Sequence, residues 1–347
     1  MKSGRGLSIE DLENATSDPK LPWDQLKNGR IFVTGATGFF GTWVLESFFF
    51  ANEKHHLNAQ LVGLARRPEL FKEKCPHLFQ KGNITLLRGD VRDFEFPEGA
   101  FSHVIHGATT SSALVPSLEM LETIILGTRR MLQFAEQKKV KRVLFVSSGA
   151  VYGKQPGDLM QIPESFTGGP DLMDPISAYG EGKRAGELLC AIAYQEKGIE
   201  VAIARCFAFV GPYLPLDAHF AIGNFIRDAL GGFPIQIKDG RPFRSYLYAS
   251  DLVRWLWTIL FLGQPCRPYN VGSDQAVSIA DLAQQVKSTL QGSTSNPPVA
   301  APEPRPGDLA PRYVPSTRRG QEELRLRQTI PLDLAIRKTA AWAKVEA

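Results

Sequence analysis

Short apolar segments alternate with helical segments along the first two thirds of the chain. Strands are predicted at six apolar runs: Arg30–Thr34, Gln60–Leu64, Ile84–Arg88, His103–His106, Arg142–Ser147 and Val201–Phe207. Helical segments between them include TWVLESFFF (42–50), Leu118–Lys138 and Ala185–Glu196. Short buried strands separated by helices are typical of βαβ units and of a parallel sheet covered on both faces. The pattern therefore predicts an α/β fold with a Rossmann-type doubly wound parallel sheet.

The pattern changes on either side of this region. Residues 1–28 are a polar N-terminal extension with a short helix over SIEDLENA. Residues 212–347 are predicted to form mainly a smaller α/β lobe, with helices near Ala221–Leu230 and Ile279–Leu290 and with some strands that return to the sheet. The stretch Gln291–Pro315 carries seven prolines and is either a flexible linker or a segment held in a fixed course along the surface. The segment DLAIRKTAAWAK, which follows it and has the pattern of a helix, favours the fixed course.

Composition is that of an ordinary globular protein. Of the 347 residues, 43% are hydrophobic and 22% are charged, which excludes a disordered chain and a coiled coil. The net charge of +4 suits a small anionic ligand at least as well as nucleic acid. The four cysteines and six histidines show no spacing typical of metal ligands, and the longest apolar run is too short to span a bilayer. Because the N-terminus also lacks the apolar core of a secretory signal, we expect a soluble cytoplasmic protein with reduced cysteines, no metal, and no nucleic-acid or membrane partner.

A glycine-rich loop follows the first predicted strand. Gly35, Gly38 and Gly41 have the spacing GxxGxxG, with Thr37, Phe39 and Phe40 between and beside them. In a strand–loop–helix context, the first glycine permits a tight turn, the second lets the backbone approach a pyrophosphate, and the third lets the helix pack on the strand. The helix N-terminus adds a partial positive charge. A structural turn could use the same residues, but the context predicts dinucleotide binding, with residues 29–211 as the NAD(P)-binding domain.

The end of the second strand bears on which dinucleotide binds. Ala65 occupies the position of the carboxylate that accepts the ribose hydroxyls of NAD, and Arg66 and Arg67 follow it. Because arginine is the better partner for a 2′-phosphate, the sequence favours NADP(H), with NAD as the alternative cofactor. The two arginines could also be ordinary solvated surface residues that bind no cofactor. Asp90, followed by Val91 after the third strand, either reaches the adenine or forms a simple turn.

A second group of polar residues lies in mid-chain. Ser147 and Ser148 end an apolar strand at the carboxyl edge of the sheet, where such folds bind ligands. Tyr179 and Lys183 are four residues apart and share one face of a helix. An ammonium near a phenol favours the phenolate, so Tyr179 can exchange a proton with a substrate oxygen that Ser148 also binds. The glycines at 180 and 182 are poor helix formers, which indicates that another group approaches the helix backbone closely there.

Together, these motifs resemble those of the extended short-chain dehydrogenase/reductases, in the branch of nucleotide-sugar epimerases, dehydratases and reductases. The resemblance covers residues 29–345 and includes VIHGA (104–108), SSGAVYG (147–153), RCFAFVGP (205–212), YNVG (269–272) and RPGD (305–308). It implies that Ser148, Tyr179 and Lys183 are the catalytic triad, that Tyr179, Lys183 and Ala108 also contact the cofactor, and that the C-terminal half binds a nucleotide sugar. It further implies a homodimer formed by the helices near 118–138 and 179–196.

The same resemblance suggests substrate-binding residues. Arg244 matches the family arginine that holds the sugar diphosphate, and a guanidinium suits phosphate oxygens. Asn224 and Arg305 could add hydrogen-bond donors, and Ser148 with Gly149 would contact the sugar. Each of these residues could also be an ordinary surface or capping residue. Ala208 departs from the family pattern, because many relatives have an asparagine there.

The residues after Ser148 restrict the reaction. Family dehydratases have an Asp–Glu pair at these two positions, decarboxylating relatives have a glutamate at the second, and enzymes that epimerise C3 and C5 have a cysteine there. Here the residues are Gly149 and Ala150, which cannot move a proton. Hydride transfer at the sugar C4 remains. The arginine pair after Ala65 favours NADPH-dependent reduction of a 4-keto-6-deoxyhexose, with NAD-dependent 4-epimerisation as the alternative. A non-catalytic or RNA-binding member of the fold is disfavoured because both the tyrosine and the lysine are present.

Overall fold

A computed structural model describes residues 6–80, 82–109, 115–218, 220–291 and 310–346. In chain order the α-helices are α1 Ile9–Thr16, α2 Phe39–Lys54, α3 Pro68–Lys74, α4 Ser117–Gln137, α5 Ala178–Lys197, α6 Ala221–Leu230, α7 Ala249–Leu262, α8 Ile279–Gln291, α9 Arg318–Leu324 and α10 Leu332–Glu346. Short 3₁₀ helices lie at Trp23–Leu26, Pro76–Phe79, Gly149–Tyr152 and Pro175–Ser177. No helix in these ranges is both long enough and apolar enough to cross a membrane.

The strands are β1 Arg30–Thr34, β2 Gln60–Ala65, β3 Ile84–Arg88, β4 His103–His106, β5 Arg142–Ser148, β6 Val201–Cys206, β7 Phe209–Val210, β8 Phe243–Arg244, β9 Leu247–Tyr248, β10 Pro268–Val271, β11 Val277–Ser278 and β12 Arg312–Tyr313. Within the described ranges, seven of them form one sheet in the order β10-β6-β5-β4-β1-β2-β3. The pairings of β1 with β2 and β4, of β2 with β3, and of β5 with β4 and β6 are parallel. This architecture confirms the predicted α/β fold.

The contacts within the chain define two compact units. The first comprises 1–153, 169–206 and 253–269, and the second comprises 154–168, 207–252 and 270–347. The domain division predicted from the sequence has boundaries after residues 28 and 211. The two units instead group residues 1–28 with the first unit, and they differ from the prediction at 154–168, 207–211 and 253–269 as well.

The core of the first unit is apolar and rich in aromatic side chains. Phe32 of β1 is fully buried, and its ring centroid lies 4.7 Å from that of Phe134 on α4 and 5.2 Å from that of Phe94. Each aromatic side chain of this kind buries a large area, so the cluster contributes much of the hydrophobic stabilisation of the unit. It lies on one side of the sheet and fixes the strands whose carboxyl ends carry the polar residues described below.

The N-terminal extension packs within the first unit. Ser8 caps α1 by accepting a hydrogen bond from the Asp11 N–H, which confirms the short helix predicted over SIEDLENA. Trp23 is buried, and its ring lies 5.1 Å from that of Trp257 and 5.5 Å from that of Phe261, both on α7. The extension is therefore an integral part of the packing around α7.

The second unit is built from short strands and helices. Strands β11, β8 and β12 form a small sheet, and β7 pairs with β9. The Asn270 side chain donates to the Ile162 and Ser316 carbonyls at 2.9 and 3.0 Å and so joins distant segments of this unit. Asp251 does the same by accepting the Thr329 N–H at 2.8 Å. Most of the proline-rich stretch, residues 292–309, lies outside the described residues.

Candidate active site and cofactor-binding loop

Backbone packing accounts for two glycines of the loop between β1 and α2. Gly35 has a φ of 73°, and a Cβ there would lie 2.7 Å from the Gly107 carbonyl group. A Cβ on Gly41 would lie only 2.2 Å from the Gly35 carbonyl oxygen, because α2 starts directly against the loop. A side chain at either position would displace backbone, as the motif predicts for its first and third glycines.

Gly38 is different, because the protein itself leaves room for a side chain there. A Cβ on Gly38 would meet only the Gly35 carbonyl oxygen, at 3.6 Å, and the residue is exposed. Gly38 is also the N-cap of α2, and no side chain caps the first N–H groups of that helix. Packing within the protein therefore does not require glycine at this position. A glycine at an uncapped helix N-terminus leaves space for an anionic ligand to approach the backbone N–H groups. The loop is thus suited to the pyrophosphate of a dinucleotide.

A buried hydrogen-bond chain fixes the strand ends beside this loop. The Ala108 N–H donates to Thr34 Oγ1 at 3.2 Å, and Thr34 Oγ1 lies 2.7 Å from His106 Nδ1. Thr128 donates to the Ile124 carbonyl and lies 3.2 Å from His106 Nε2. These partners fit a neutral imidazole that accepts from Thr34 and donates to Thr128. Burial lowers the His106 pKa to about 3, with a smaller contribution from the nearby Lys183 ammonium.

The residues predicted to select the cofactor lie at the ends of β2 and β3. Ala65 is buried as the last residue of β2, and both Arg66 and Arg67 are exposed. Asp90 instead binds Arg92, whose Nε and Nη2 donate to its carboxylate at 2.8 and 3.0 Å. These bonds hold the pKa of Asp90 below its usual value.

Three of the assigned cofactor residues have structural contacts of their own. The Arg92 N–H also donates to Asp90 Oδ1 at 3.0 Å, so Asp90 forms the turn that the sequence offered as its alternative role. Val91 is buried at 7% exposure against Gly127 of α4, where a Cβ would lie 2.8 Å from Val91 Cγ1. Ala108 is half-buried at the end of the Thr34 chain. Contacts of Asp90, Val91 and Ala108 with a cofactor remain predictions.

The structure brings the predicted triad together within the first unit. Ser148 ends β5, and its Oγ accepts the Ala150 N–H at 3.1 Å. The Tyr179 hydroxyl lies near the Ser148 side chain. Lys183 is 2% exposed, and its Nζ donates to the Val146 carbonyl at 2.7 Å and lies 6.0 Å from the centre of the Tyr179 ring. One turn of α5 thus presents a phenol and an ammonium to the carboxyl end of β5.

The environment sets the protonation of these two groups. Burial raises the pKa of Tyr179, and the Ser148 side chain opposes this effect in part. Burial also lowers the pKa of Lys183 to about 8. At neutral pH the phenol is therefore protonated and the ammonium is largely charged. This combination suits an acid that gives its proton to an oxygen on which negative charge develops.

The poor helix formers of α5 are explained by close contacts. A Cβ on Gly180 would lie 2.7 Å from the Ala150 carbonyl oxygen, and one on Gly182 would lie 3.0 Å from Ile124 Cδ1. The prediction of a close approach to the helix backbone is confirmed. The approach of Ala150 brings the start of α5 against the 3₁₀ helix that follows Ser148.

Of the remaining predicted substrate residues, Arg244 and Asn224 lie in the second unit. Arg244 of β8 is half-buried, its Nη1 donates to the Phe243 carbonyl at 2.9 Å, and its guanidinium lies 6.0 Å from the Tyr313 ring centre. Asn224 on α6 accepts a bond from Arg227 at 3.3 Å. Arg305 lies outside the described residues. Gly149 is buried in the first unit, directly after Ser148.

Comparison with known proteins defines the family. The model of the NAD dependent epimerase/dehydratase family matches residues 31–272, and the chain belongs to this family. A curated relative is UDP-glucuronic acid decarboxylase 6 of Arabidopsis thaliana, which is 30% identical over 270 residues that cover 76% of this chain and 75% of the relative.

Solved structures of similar fold include two enzymes with bound ligands. The UDP-glucose 4-epimerase of Thermotoga maritima, solved with UDP-glucose, has a TM-score of 0.75 at 20% identity and covers 91% of this chain and 98% of its own. Bordetella bronchiseptica WbmF, solved in complex with NADH, has a TM-score of 0.74 at 20% identity, with 93% and 94% of the two chains covered. At this identity the likeness concerns the fold.

Proposed function

We propose that this protein is a nucleotide-sugar oxidoreductase that transfers hydride at the sugar C4. Its net reaction in this proposal is the NADPH-dependent reduction of a nucleotide-linked 4-keto-6-deoxyhexose. When bound, the nicotinamide supplies the hydride. Tyr179 gives its proton to the C4 oxygen, Ser148 holds that oxygen by a hydrogen bond, and the Lys183 ammonium stabilises the phenolate that remains. Arg244 holds the diphosphate of the substrate.

The observation that carries this proposal is the pair of residues after Ser148. Gly149 has no side chain, and Ala150 has only a methyl group, with its carbonyl packed against Gly180. In the family that the motifs resemble, one or both of these positions carry a side chain that moves a proton in three reactions: elimination of water, decarboxylation, and epimerisation at C3 and C5. Simple redox chemistry at C4 uses the triad and the cofactor alone. The proposed reaction therefore differs from the one that names the Arabidopsis relative.

The preference for NADPH rests on the exposed arginines that follow Ala65. We expect the double variant Arg66→Ala/Arg67→Ala to bind NADPH about 10- to 100-fold more weakly, since charge-assisted hydrogen bonds to a 2′-phosphate are lost. Its affinity for NADH should change little. Fluorescence titration with both nucleotides measures this difference, with Arg318→Ala, an exposed arginine of the second unit, as the matched control. Equal affinities of the double variant and the wild type for NADPH would mean that both arginines are merely solvated.

A second candidate is an NAD-dependent nucleotide-sugar 4-epimerase. The same triad supports it, because an epimerase removes and returns the hydride at C4, and the family model carries the NAD dependent description. Mass spectrometry of the nucleotide released when the purified protein is denatured distinguishes the two. NADP, or an empty protein that oxidises added NADPH, supports the reductase, whereas tightly bound NAD favours the epimerase.

We further propose that the protein forms a homodimer through α4 and α5. Leu126 on α4 and Leu188 and Ile192 on α5 are large apolar side chains that are 42%, 62% and 40% exposed. Leu188 and Ile192 are four residues apart and share one face of α5. Such an exposed apolar face on two neighbouring helices is typical of an interface, and these are the helices that the resemblance assigns to dimerisation.

Charge on that face should separate the subunits. We expect Leu188→Glu/Ile192→Glu to convert the dimer to a monomer at micromolar concentration, because two carboxylates would be desolvated in the interface. Light scattering after gel filtration gives the mass. Ile9→Glu, which changes an apolar residue of α1 that is 69% exposed, should leave the mass at that of the wild type. A monomeric wild-type protein would contradict the proposal.

A further inference from the structure

A buried carboxylate lies one turn beyond the catalytic lysine. Glu187 follows Lys183 by four residues, so Tyr179, Lys183 and Glu187 lie along one face of α5. The Glu187 carboxylate accepts hydrogen bonds from Ser147 Oγ at 2.5 Å and from Arg205 Nε and Nη2 at 2.9 and 2.6 Å. The two charged side chains are only 13% and 14% exposed. The carboxylate is thus a buried junction between α5 and the ends of β5 and β6.

The network continues to the segment after the catalytic serine. Arg205 Nη1 donates to the Tyr152 hydroxyl at 2.9 Å, and the guanidinium lies 4.8 Å from the centre of the Tyr152 ring. Tyr152 ends the 3₁₀ helix that begins after Ser148. In the sheet, Ser147 pairs with Arg205 and Ser148 pairs with Cys206. Every segment that carries or flanks the triad is therefore joined to Glu187 directly or through Arg205.

We infer that Glu187 is a positioning residue, which holds the strand end that carries Ser148 in register with the helix turn that carries Lys183. The inference rests on the proposed function in one respect: it takes Ser148, Tyr179 and Lys183 as the reaction centre. A buried ion pair gives no general stability advantage over apolar residues of the same volume. Its fixed two-bond geometry, in contrast, sets the relative position of the groups that it joins.

Charge provides a second route from Glu187 to the lysine. Burial lowers the pKa of Lys183 to about 8, and the negative charge of Glu187 opposes that effect. The other titratable groups that act on or face Lys183 are Tyr179, Cys190, Cys206 and His106. Burial raises the pKa of both thiols and of the phenol and lowers that of the imidazole, so all four are uncharged at neutral pH. Among these groups of the described chain, Glu187 is the one that favours the ammonium by its charge at neutral pH.

The variant Glu187→Gln tests this role in whichever hydride-transfer reaction the wild-type enzyme performs. We expect kcat to fall and the alkaline limb of its pH profile to move about one unit towards lower pH. The sign follows because the reaction needs the ammonium, and a lysine with a lower pKa loses its proton earlier as the pH rises. If the enzyme proves to be an epimerase and not a reductase, the same profile is measured with that reaction, so failure of the proposed function and failure of this inference are distinguishable.

Two further variants separate positioning from folding. Glu187→Leu/Arg205→Met removes both buried charges at similar volume and should fold, yet its kcat should fall, because the hydrogen bonds that join α5 to the ends of β5 and β6 are lost. Its limb should move less than that of Glu187→Gln, since the Arg205 charge is removed together with the carboxylate. Glu136→Gln breaks an exposed ion pair with Lys197 near the far end of α5 and should leave both kcat and the limb unchanged. A folded double variant with wild-type kcat would overturn the inference, and so would a folded Glu187→Gln enzyme whose kcat and limb both stay at their wild-type values. If Glu187→Gln does not fold, the double variant decides alone.

Discussion

Replacement of Tyr179 by phenylalanine is expected to lower kcat by about 10²- to 10⁴-fold, the range that a general acid contributes. The substitution removes the hydroxyl that lies near Ser148 and keeps the ring near Lys183. Cofactor affinity and thermal stability should therefore stay close to those of the wild type. Steady-state kinetics, a nucleotide titration and a melting curve of the same preparation measure the three quantities.

The comparison that makes this result specific is a change at Tyr152, a buried tyrosine near the triad that bonds to Arg205. Tyr152→Phe removes a hydroxyl of the same chemistry and should reduce kcat far less than Tyr179→Phe. A Tyr179→Phe enzyme with wild-type kcat would show that another group supplies the proton. A Tyr179→Phe protein that fails to fold would instead place this residue in the structural core, against the half-buried position that it has here.

Replacement of Gly41 by alanine is expected to abolish cofactor binding and to destabilise the protein. The added Cβ would lie 2.2 Å from the Gly35 carbonyl oxygen and 2.5 Å from the Ala36 carbonyl group. These atoms are backbone and cannot turn aside, so α2 must move away from the loop, at a cost of about 1–3 kcal/mol as for other overpacked sites. Calorimetry of NADPH binding and a denaturant melt measure both effects.

Gly38→Ala is the matched control for that substitution. Its Cβ would meet only one protein atom, at 3.6 Å, so the stability should remain that of the wild type. Cofactor affinity should nevertheless fall, since the methyl group occupies space at the uncapped start of α2. If Gly38→Ala binds NADPH as tightly as the wild type does, the loop does not hold the pyrophosphate in the proposed way.

The sequence predicts the part of the fold whose signals are local. The run from Arg30 to Gly41 contains a strand, a turn and a helix start within a dozen residues, and each has its own composition. Helix α7 gives no such signal, because nearly all of its residues are buried, including the polar Asp251 and Thr258. It therefore has no exposed polar face to mark a helical period. The two-residue strands of the second unit likewise cannot be predicted from the sequence, because each is defined by its pairing with a distant segment and not by a local pattern.

The site divides in the same way. The spacing of Tyr179 and Lys183 by itself indicates a shared helix face, and their approach to Ser148 follows from the order of strands. The contacts of Glu187 with Ser147 and Arg205 join residues 40 and 18 positions apart, and no local pattern encodes them. Its spacing of four from Lys183 is the one local signal of its role. For Asp90, the local sequence fits two roles equally well, a turn with Arg92 and a contact with the cofactor. The sequence alone therefore does not choose between them, and the structure shows the turn.

The central claim is tested most directly by mixing the purified protein with NADPH and a UDP- or dTDP-linked 4-keto-6-deoxyhexose and analysing both products. The proposed function predicts that one NADPH is oxidised for each keto sugar reduced to a 6-deoxyhexose, and that no reaction occurs without added cofactor. Interconversion of two nucleotide sugars by the protein alone, with NAD released on denaturation, would contradict it.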